Sequence, residues 1–222
     1  LILLISLMVS SPSFSGIIIS VITRSARDFL NNLMPSTPFA MNLFSSDKFL
    51  SKRPPIEKRT FTSESVERLI KEVKGAIKDE ELAWMFENCY PNTLDTTVDY
   101  EVIDGKPDTF IITGDIDAMW LRDSTAQVWP YMPLLRKDEK LKKLVKGLIN
   151  RQVKCILKDP YANAFYKDLT KESHWKSDKP TPIPGVHERK WEIDSLCYVV
   201  RLSYEYYDYT GDVTVFDEDW DK

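Results

Sequence analysis

The chain has 222 residues, 43% of them hydrophobic and 12% aromatic, with a formal net charge of -4. That is long enough to bury a sizeable core, and the slight acid excess gives no electrostatic reason to expect a nucleic-acid partner. Seven glycines against ten tyrosines and six tryptophans suit long helices, since a glycine inside one costs about 1 kcal/mol relative to alanine. The ring excess fits either a large core or a carbohydrate site.

Residues 1–9 form an apolar run broken by Ser6, and a serine-rich stretch with Pro12 separates it from a second apolar patch at 17–22. Residues 1–23 are therefore expected to be a signal peptide or a membrane anchor, with Pro12 and the serines weakening the anchor reading. Either reading sends the chain to the secretory pathway, secreted or attached to a membrane through 1–23. Residues 24–60 show no sustained period and carry Pro35, Pro38, Pro54 and Pro55, which predicts a linker or an extended arm.

Helical periodicity begins at Phe61. Thr62 or Ser63 can cap a helix in which Val66, Leu69, Ile70, Val73 and Ile77 share one face. A short helix is expected over 79–89. Val98, Tyr100 and Val102 then alternate before Asp104-Gly105 and a second apolar run, which predicts a β-hairpin. The next helix is expected over 117–134, buried on all sides, with Asp115 and Asp117 at the positive end of its dipole. Residues 139–158 carry a single apolar stripe, with Lys142, Lys143, Lys146 and Lys154 facing away. An irregular stretch at 159–190 contains Pro160, Pro180, Pro182 and Pro184. A largely apolar, buried helix over 192–209 follows, closed by Gly211. Alternation of buried and one-sided helices suits an inner and an outer ring, with 117–134 inside and 139–158 outside. The three cysteines include no CxxC and no Cys/His pair at metal spacing, and no acidic cluster has calcium-ligand spacing, so no metal is expected. Cys155 and Cys197 fall on apolar stripes and read as buried free thiols.

Two segments conflict with their apolar surroundings. Arg122 and Asp123 interrupt a buried helix, where isolated charges are very costly. On a continuous helix Asp115 and Arg122 share one face, and Gln127 follows Asp123 by one turn. The pair is either a structural ion pair or a clamp on adjacent sugar hydroxyls with Trp120 as a flat wall. The second segment is His187-Glu188-Arg189-Lys190-Trp191-Glu192-Ile193-Asp194. Once helical, Glu192 and Asp194 are about 200° apart and cannot face one pocket, but at a helix entrance one can cap while the other reaches a ligand. The plainer reading is an N-cap with a solvated charge cluster.

Trp120-Leu121-Arg122-Asp123-Ser124 within 113–131, and Trp191-Glu192-Ile193-Asp194-Ser195 within 189–198, resemble two signature blocks of glycoside hydrolase family 125. The resemblance implies a mainly α-helical (α/α)6 barrel of the six-hairpin glycosidase type. It also implies inverting, metal-independent removal of terminal α-1,6-linked mannose from a mannose-containing oligosaccharide or glycan, without a cofactor. Carried over, it makes Arg122 and Asp123 substrate clamps rather than the acid and base. With Trp120 beside them, and His187, Arg189, Trp191, Glu192 and Asp194 at the mouth of the second helix, they form the expected substrate-binding set. An inverting enzyme needs a general acid and a general base about 6.5–9.5 Å apart. The family's Ser-Asp-Asp block, near which the resemblance places them, does not occur in these 222 residues. The expectation is a partial barrel: residues 61–222 would be the N-terminal half of such a domain, with acid and base beyond residue 222. Two alternatives stay open: a non-catalytic remnant with at most weak sugar binding, or another (α/α)6 glycosidase that uses Glu192 or Asp194 as its acid. In the barrel reading, Arg122, Asp123 and the 191–194 segment converge on one concavity.

Overall fold

The computed structural model describes residues 49–222; the expected leader 1–23 and the first part of the arm lie outside the described residues. No described helix is long and apolar enough to cross a membrane. The described part of the arm includes a 3-10 turn at Ile56–Lys58, and it is pinned down. Arg53 donates to Asp95 at 2.7 Å and to Glu67 at 2.6 Å, while Arg59 reaches Glu67 at 3.0 Å.

Helix α1 (Glu64–Ala76) starts where Ser63 accepts from Val66 N, and α2 (Glu80–Cys89) where Asp79 accepts from Glu81 N and Leu82 N. A short helix α3 (Asn92–Thr96) leads into strands β1 (Val98–Ile103) and β2 (Lys106–Ile111), paired antiparallel from Val98↔Ile111 to Ile103↔Lys106. The two-residue connection has positive φ at Asp104 (49°) and Gly105 (78°), the geometry that matches hairpin twist and that Asp-Gly tolerates. Strand β2 lies on helix α5 (Glu139–Lys158). Gly147 allows that approach, since a Cβ there would meet Thr109 N at 3.0 Å. The buried Arg151–Asp108 pair, at 2.6 Å, ties the same surfaces together.

Helix α5 has the bounds its stripe predicts. Leu141, Leu144, Val145, Leu148 and Ile149 are fully buried, each worth about 1.5–3 kcal/mol against exposure, while Lys140, Lys143 and Lys154 are exposed. Its cap, Asp138, accepts from Leu141 N at 3.0 Å and from Ser63 Oγ at 2.6 Å, joining the starts of α1 and α5.

The segment expected as one helix over 117–134 is three elements: strand β3 (Met119–Trp120), helix α4 (Leu121–Val128) and a 3-10 helix (Trp129–Lys137). Pro130 and Pro133 remove the donors an α-helix would need there. Trp120 is extended at the N-cap position, so the helix begins after it. Asp115 and Asp117 consequently precede the strand and do not sit on the dipole. The expected burial remains, for no residue from 118 to 135 is exposed.

The stretch 159–190 holds two further strands, β4 (Ala164–Phe165) and β5 (Val186–Glu188), completing a three-stranded sheet in the order β3-β4-β5. Helix α6 (Ile193–Thr210) follows and ends on Gly211 at φ 67°; a last turn, α7 (Glu218–Asp221), packs against α5. Helix α6 is not buried all round. Val199, Leu202 and Tyr206 are buried, whereas Ile193, Val200 and Tyr204 are 70%, 57% and 61% exposed. Cys155 is buried but Cys197 is exposed, because it belongs to that second face. About half of the described residues are helical.

Candidate functional site

The two unusual segments meet through the three-stranded sheet. Strand β4 pairs with β3 on one side, Trp120 opposite Ala164, and with β5 on the other, Ala164 opposite Glu188. Helix α4 leaves the end of β3, and the approach to α6 leaves the end of β5. Their first turns, 70 residues apart in sequence, are thereby brought side by side.

Arg122, in the first turn of α4, is the centre of the site. Its Nη1 donates to Asp194 Oδ2 at 2.8 Å and lies 3.4 Å from Glu192 Oε2, while its Nε is 3.7 Å from Asp123 Oδ2. Both acids of the second segment therefore reach one guanidinium. The 200° argument fails because Glu192 is not helical: it is the extended N-cap residue, at φ -130° and ψ 109°, and its side chain makes no capping bond. Neither acid caps α6. The Asp194 hydrogen bond is the largest influence on Arg122; it and the neighbouring negative charges outweigh partial burial and raise the pKa, leaving a permanent cation. Asp123 Oδ2 is itself buried and has no hydrogen-bond partner.

Trp120 forms one wall. Its indole N–H donates to Glu188 Oε2 at 3.3 Å, and its ring meets His187 edge-on with centroids 5.1 Å apart. His187 is buried behind it, with Nδ1 2.8 Å from the Tyr166 hydroxyl and its ring edge-on to Tyr166. Burial lowers the His187 pKa and favours the neutral ring. Glu188 is partly buried, which pushes its pKa upward, but hydrogen bonds from Lys190, Asn163 and Trp120 outweigh this and hold it below the ordinary carboxyl value.

The other two expected ligand contacts lie to one side. Arg189 donates to Asp159 at the end of α5, at 2.6 Å, and its guanidinium stands over Tyr161. Trp191 is 55% exposed and packs its ring near Tyr161, with centroids 5.6 Å apart. Gln127 donates to Ile112 O at 3.1 Å, and its Oε1 is buried without a partner. Asp115 is an exposed turn residue and does not share a face with Arg122. Sequence reasoning passed over Asn163, Tyr166 and Glu188 as members of the site. Glu188 stood in the charged block, but nothing marks Asn163 or Tyr166 in a stretch without periodicity.

Two concavities lie elsewhere: about 370 Å³ between the hairpin and α5, and about 410 Å³ beside Arg59 and Lys140. Lys106 and Lys154 in the first are already paired with Asp217 and Asp108. Arg59 in the second is paired with Glu67. The Arg122 cluster combines a part-exposed charge network, an orphaned acceptor and an aromatic wall. Among the described residues no group of three or more His, Cys, Asp or Glu is placed to hold a metal ion.

Residues 79–222 match the family of metal-independent α-mannosidases, glycoside hydrolase family 125. The meiotically up-regulated gene 157 protein of Schizosaccharomyces pombe is 44% identical over 177 residues, covering 76% of this chain and 35% of that protein. A solved metal-independent α-mannosidase of Streptococcus pneumoniae, in a non-productive complex with α-1,6-mannobiose, superimposes with a TM-score of 0.64 at 40% identity. That match covers 72% of this chain and 37% of that one. The chain thus spans about a third of the length of these two relatives. It belongs to glycoside hydrolase family 125.

Proposed function

From that membership we propose that the chain supplies the sugar-gripping part of a glycoside hydrolase that removes terminal α-1,6-linked mannose from an oligosaccharide or glycan with inversion. The observation that carries the reading is Arg122, a guanidinium that meets carboxylates from both signature blocks beside the orphaned Asp123 Oδ2. Vicinal sugar hydroxyls donate to carboxylates and accept from guanidinium N–H groups, and such charge-assisted bonds are stronger than neutral ones. A hydroxyl would give Asp123 the donor it lacks, and the sugar's apolar face would lie on Trp120. Support for mannose and for the α-1,6 linkage comes from the family and from the disaccharide bound by the Streptococcus relative.

In this reading neither general acid nor general base belongs to the cluster. Asp194 accepts from Arg122 at 2.8 Å, and an oxygen held as the acceptor of a guanidinium is poorly placed to donate the proton a leaving oxygen needs. Both groups would come from the larger part of the family fold that this chain does not span. The architecture we propose is accordingly part of an (α/α)6 barrel, to which residues 61–222 contribute the N-terminal portion. Helix α4 and the 3-10 helix, with nothing exposed from 118 to 135, suit its inner ring. Helix α5, with Lys140, Lys143 and Lys154 exposed, suits its outer ring, and the open apolar face of α6 suits another helix packed against it.

The test is calorimetric titration of the 222-residue chain with α-1,2-, α-1,3- and α-1,6-mannobiose, paired with NMR of the first anomer released by the product of the complete transcript. The expected result is preference for the α-1,6 disaccharide without cleavage by the short chain, and β-mannose released first by the longer one. Failure to bind any mannoside would refute the sugar site. Turnover by the short chain would move the acid to Glu192 or Asp194.

A further inference from the structure

We propose that Asn163 and Glu188 are positioning residues that set the Trp120 wall and the Arg122 clamp against Glu192 and Asp194. For its ligand the inference rests on the sugar-binding reading above; its structural half stands on hydrogen bonds alone.

Asn163 is 1% exposed, and its four polar groups tie the start of α4 to residues 188–190. Its carbonyl accepts from Leu121 N at 3.1 Å, fixing the first residue of α4 next to Arg122, and its own N–H donates to Glu188 O at 3.2 Å. Its side-chain Oδ1 accepts from Lys190 N at 3.1 Å, two residues before Glu192, while Nδ2 donates to Glu188 Oε2 at 2.7 Å. That same Glu188 oxygen accepts the Trp120 indole N–H at 3.3 Å. A buried side chain with one donor arm and one acceptor arm, each matched, specifies a single arrangement of the groups around it, because any slip leaves a polar atom unpaired. The irregularity in the β4–β5 register falls at Ala164–Phe165, beside Asn163, so plain ladder bonds do not fix the β5 side by themselves. Ionised Glu188 is needed because Oε2 takes two donors while Oε1 takes Lys190.

The polarity of the pair gives the test. Asn163→Asp keeps the shape but sets a carboxylate against the Glu188 carboxylate where a 2.7 Å hydrogen bond stood. Adding Glu188→Gln returns a donor and an acceptor to the contact with the roles exchanged. Each variant of the whole chain is read by α-1,6-mannobiose affinity, by the NMR resonance of the Trp120 indole N–H, and by its melting temperature. Asn163→Asp is expected to weaken affinity at least tenfold and shift the indole resonance upfield. The double variant should recover affinity in part while the indole resonance stays upfield, since the amide nitrogen that meets the new carboxylate replaces the oxygen to which Trp120 donates. A drop in melting temperature with affinity and resonance unchanged would reduce Asn163 to a structural residue and overturn the proposal, as would a double variant no better than the single. Should Asn163→Asp not fold, Glu188→Met alone decides by the same readouts, since it removes the one oxygen on which the Trp120 and Asn163 donors meet. Wild-type chain that binds no mannobiose refutes the sugar reading, and the shift of the indole resonance in Asn163→Asp then still decides the positioning role.

Discussion

Replacing Arg122 by methionine keeps the length of the side chain and removes the charge on which Asp123, Glu192 and Asp194 converge. The stability effect should be small. The Arg122 side chain is 38% exposed, and those of Glu192 and Asp194 are 33% and 44% exposed, so water takes over much of what each pair provides. Exposed pairs of this kind are worth about 0.5 kcal/mol each, which puts the whole loss at about 1–1.5 kcal/mol. For a domain of this size that is a fall of roughly 2–6 °C in Tm. The binding effect should be larger, because a bound sugar displaces the water that would otherwise compensate. One charge-assisted hydrogen bond lost to an unpaired group costs about 1.5–3 kcal/mol, a roughly 10- to 150-fold weaker Kd for α-1,6-mannobiose. Differential scanning calorimetry and isothermal titration on the same preparation separate the two. A Tm fall above about 10 °C with little change in Kd would show that the cluster is a structural staple and refute the clamp.

Gly147→Ala gains helix propensity but places a Cβ 3.0 Å from Thr109 N and 3.1 Å from Asp108 C; backbone cannot swing aside, so urea unfolding should show a net loss of about 1–2 kcal/mol. Burial holds His187 below its ordinary pKa of 6.5, so the unfolded chain binds the extra proton. The resulting stability is present above pH 6.5 and is lost as the pH falls through the folded-state value. His187→Phe should flatten the acid-side decline in unfolding midpoints, and an unchanged slope would place the decline elsewhere.

What could be read in advance follows the range of the interactions involved. Helix α5 was legible to its ends because one stripe of leucine, valine and isoleucine repeats over five turns, with Asp138 as a cap. The Asp104-Gly105 turn was legible because its chemistry is local. Strands β3, β4 and β5 were not: two or three residues each are too few to show a period, and their pairing joins positions far apart in the chain. Missing them lengthened the 117–134 helix and moved Asp115 and Asp117 onto a dipole they do not touch. It also hid the reason Glu192 and Asp194 can share Arg122, which is that β5 ends at Glu188 and Glu192 is still extended before α6 begins. Arg189 shows a different limit. The chain offers it many carboxylates, and only the fold selects Asp159.

Helix α6 carries apolar side chains on two faces, and this leads to a last prediction. Val199, Leu202 and Tyr206 are buried against the rest of the fold, while Ile193, Val200, Tyr204 and Tyr207 are 43–70% exposed. With the exposed Cys197 these recur at the spacing of one helical face. Contiguous apolar patches of this kind on monomers mark interaction surfaces or aggregation hazards. Val200→Lys with Tyr204→Lys should therefore lower dye binding and concentration-dependent association of the 222-residue chain, and leave its unfolding free energy within about 0.5 kcal/mol, the range of ordinary surface changes. In a polypeptide of the relatives' length, where we propose that another helix covers this face, the same pair should cost about 3 kcal/mol or more, because two ammonium groups would be buried without partners. Equal, small losses in both proteins would mean that the face stays wet and that α6 is no inner helix of a barrel. A large loss already in the short chain would mean that residues outside 49–222 of this same chain cover it.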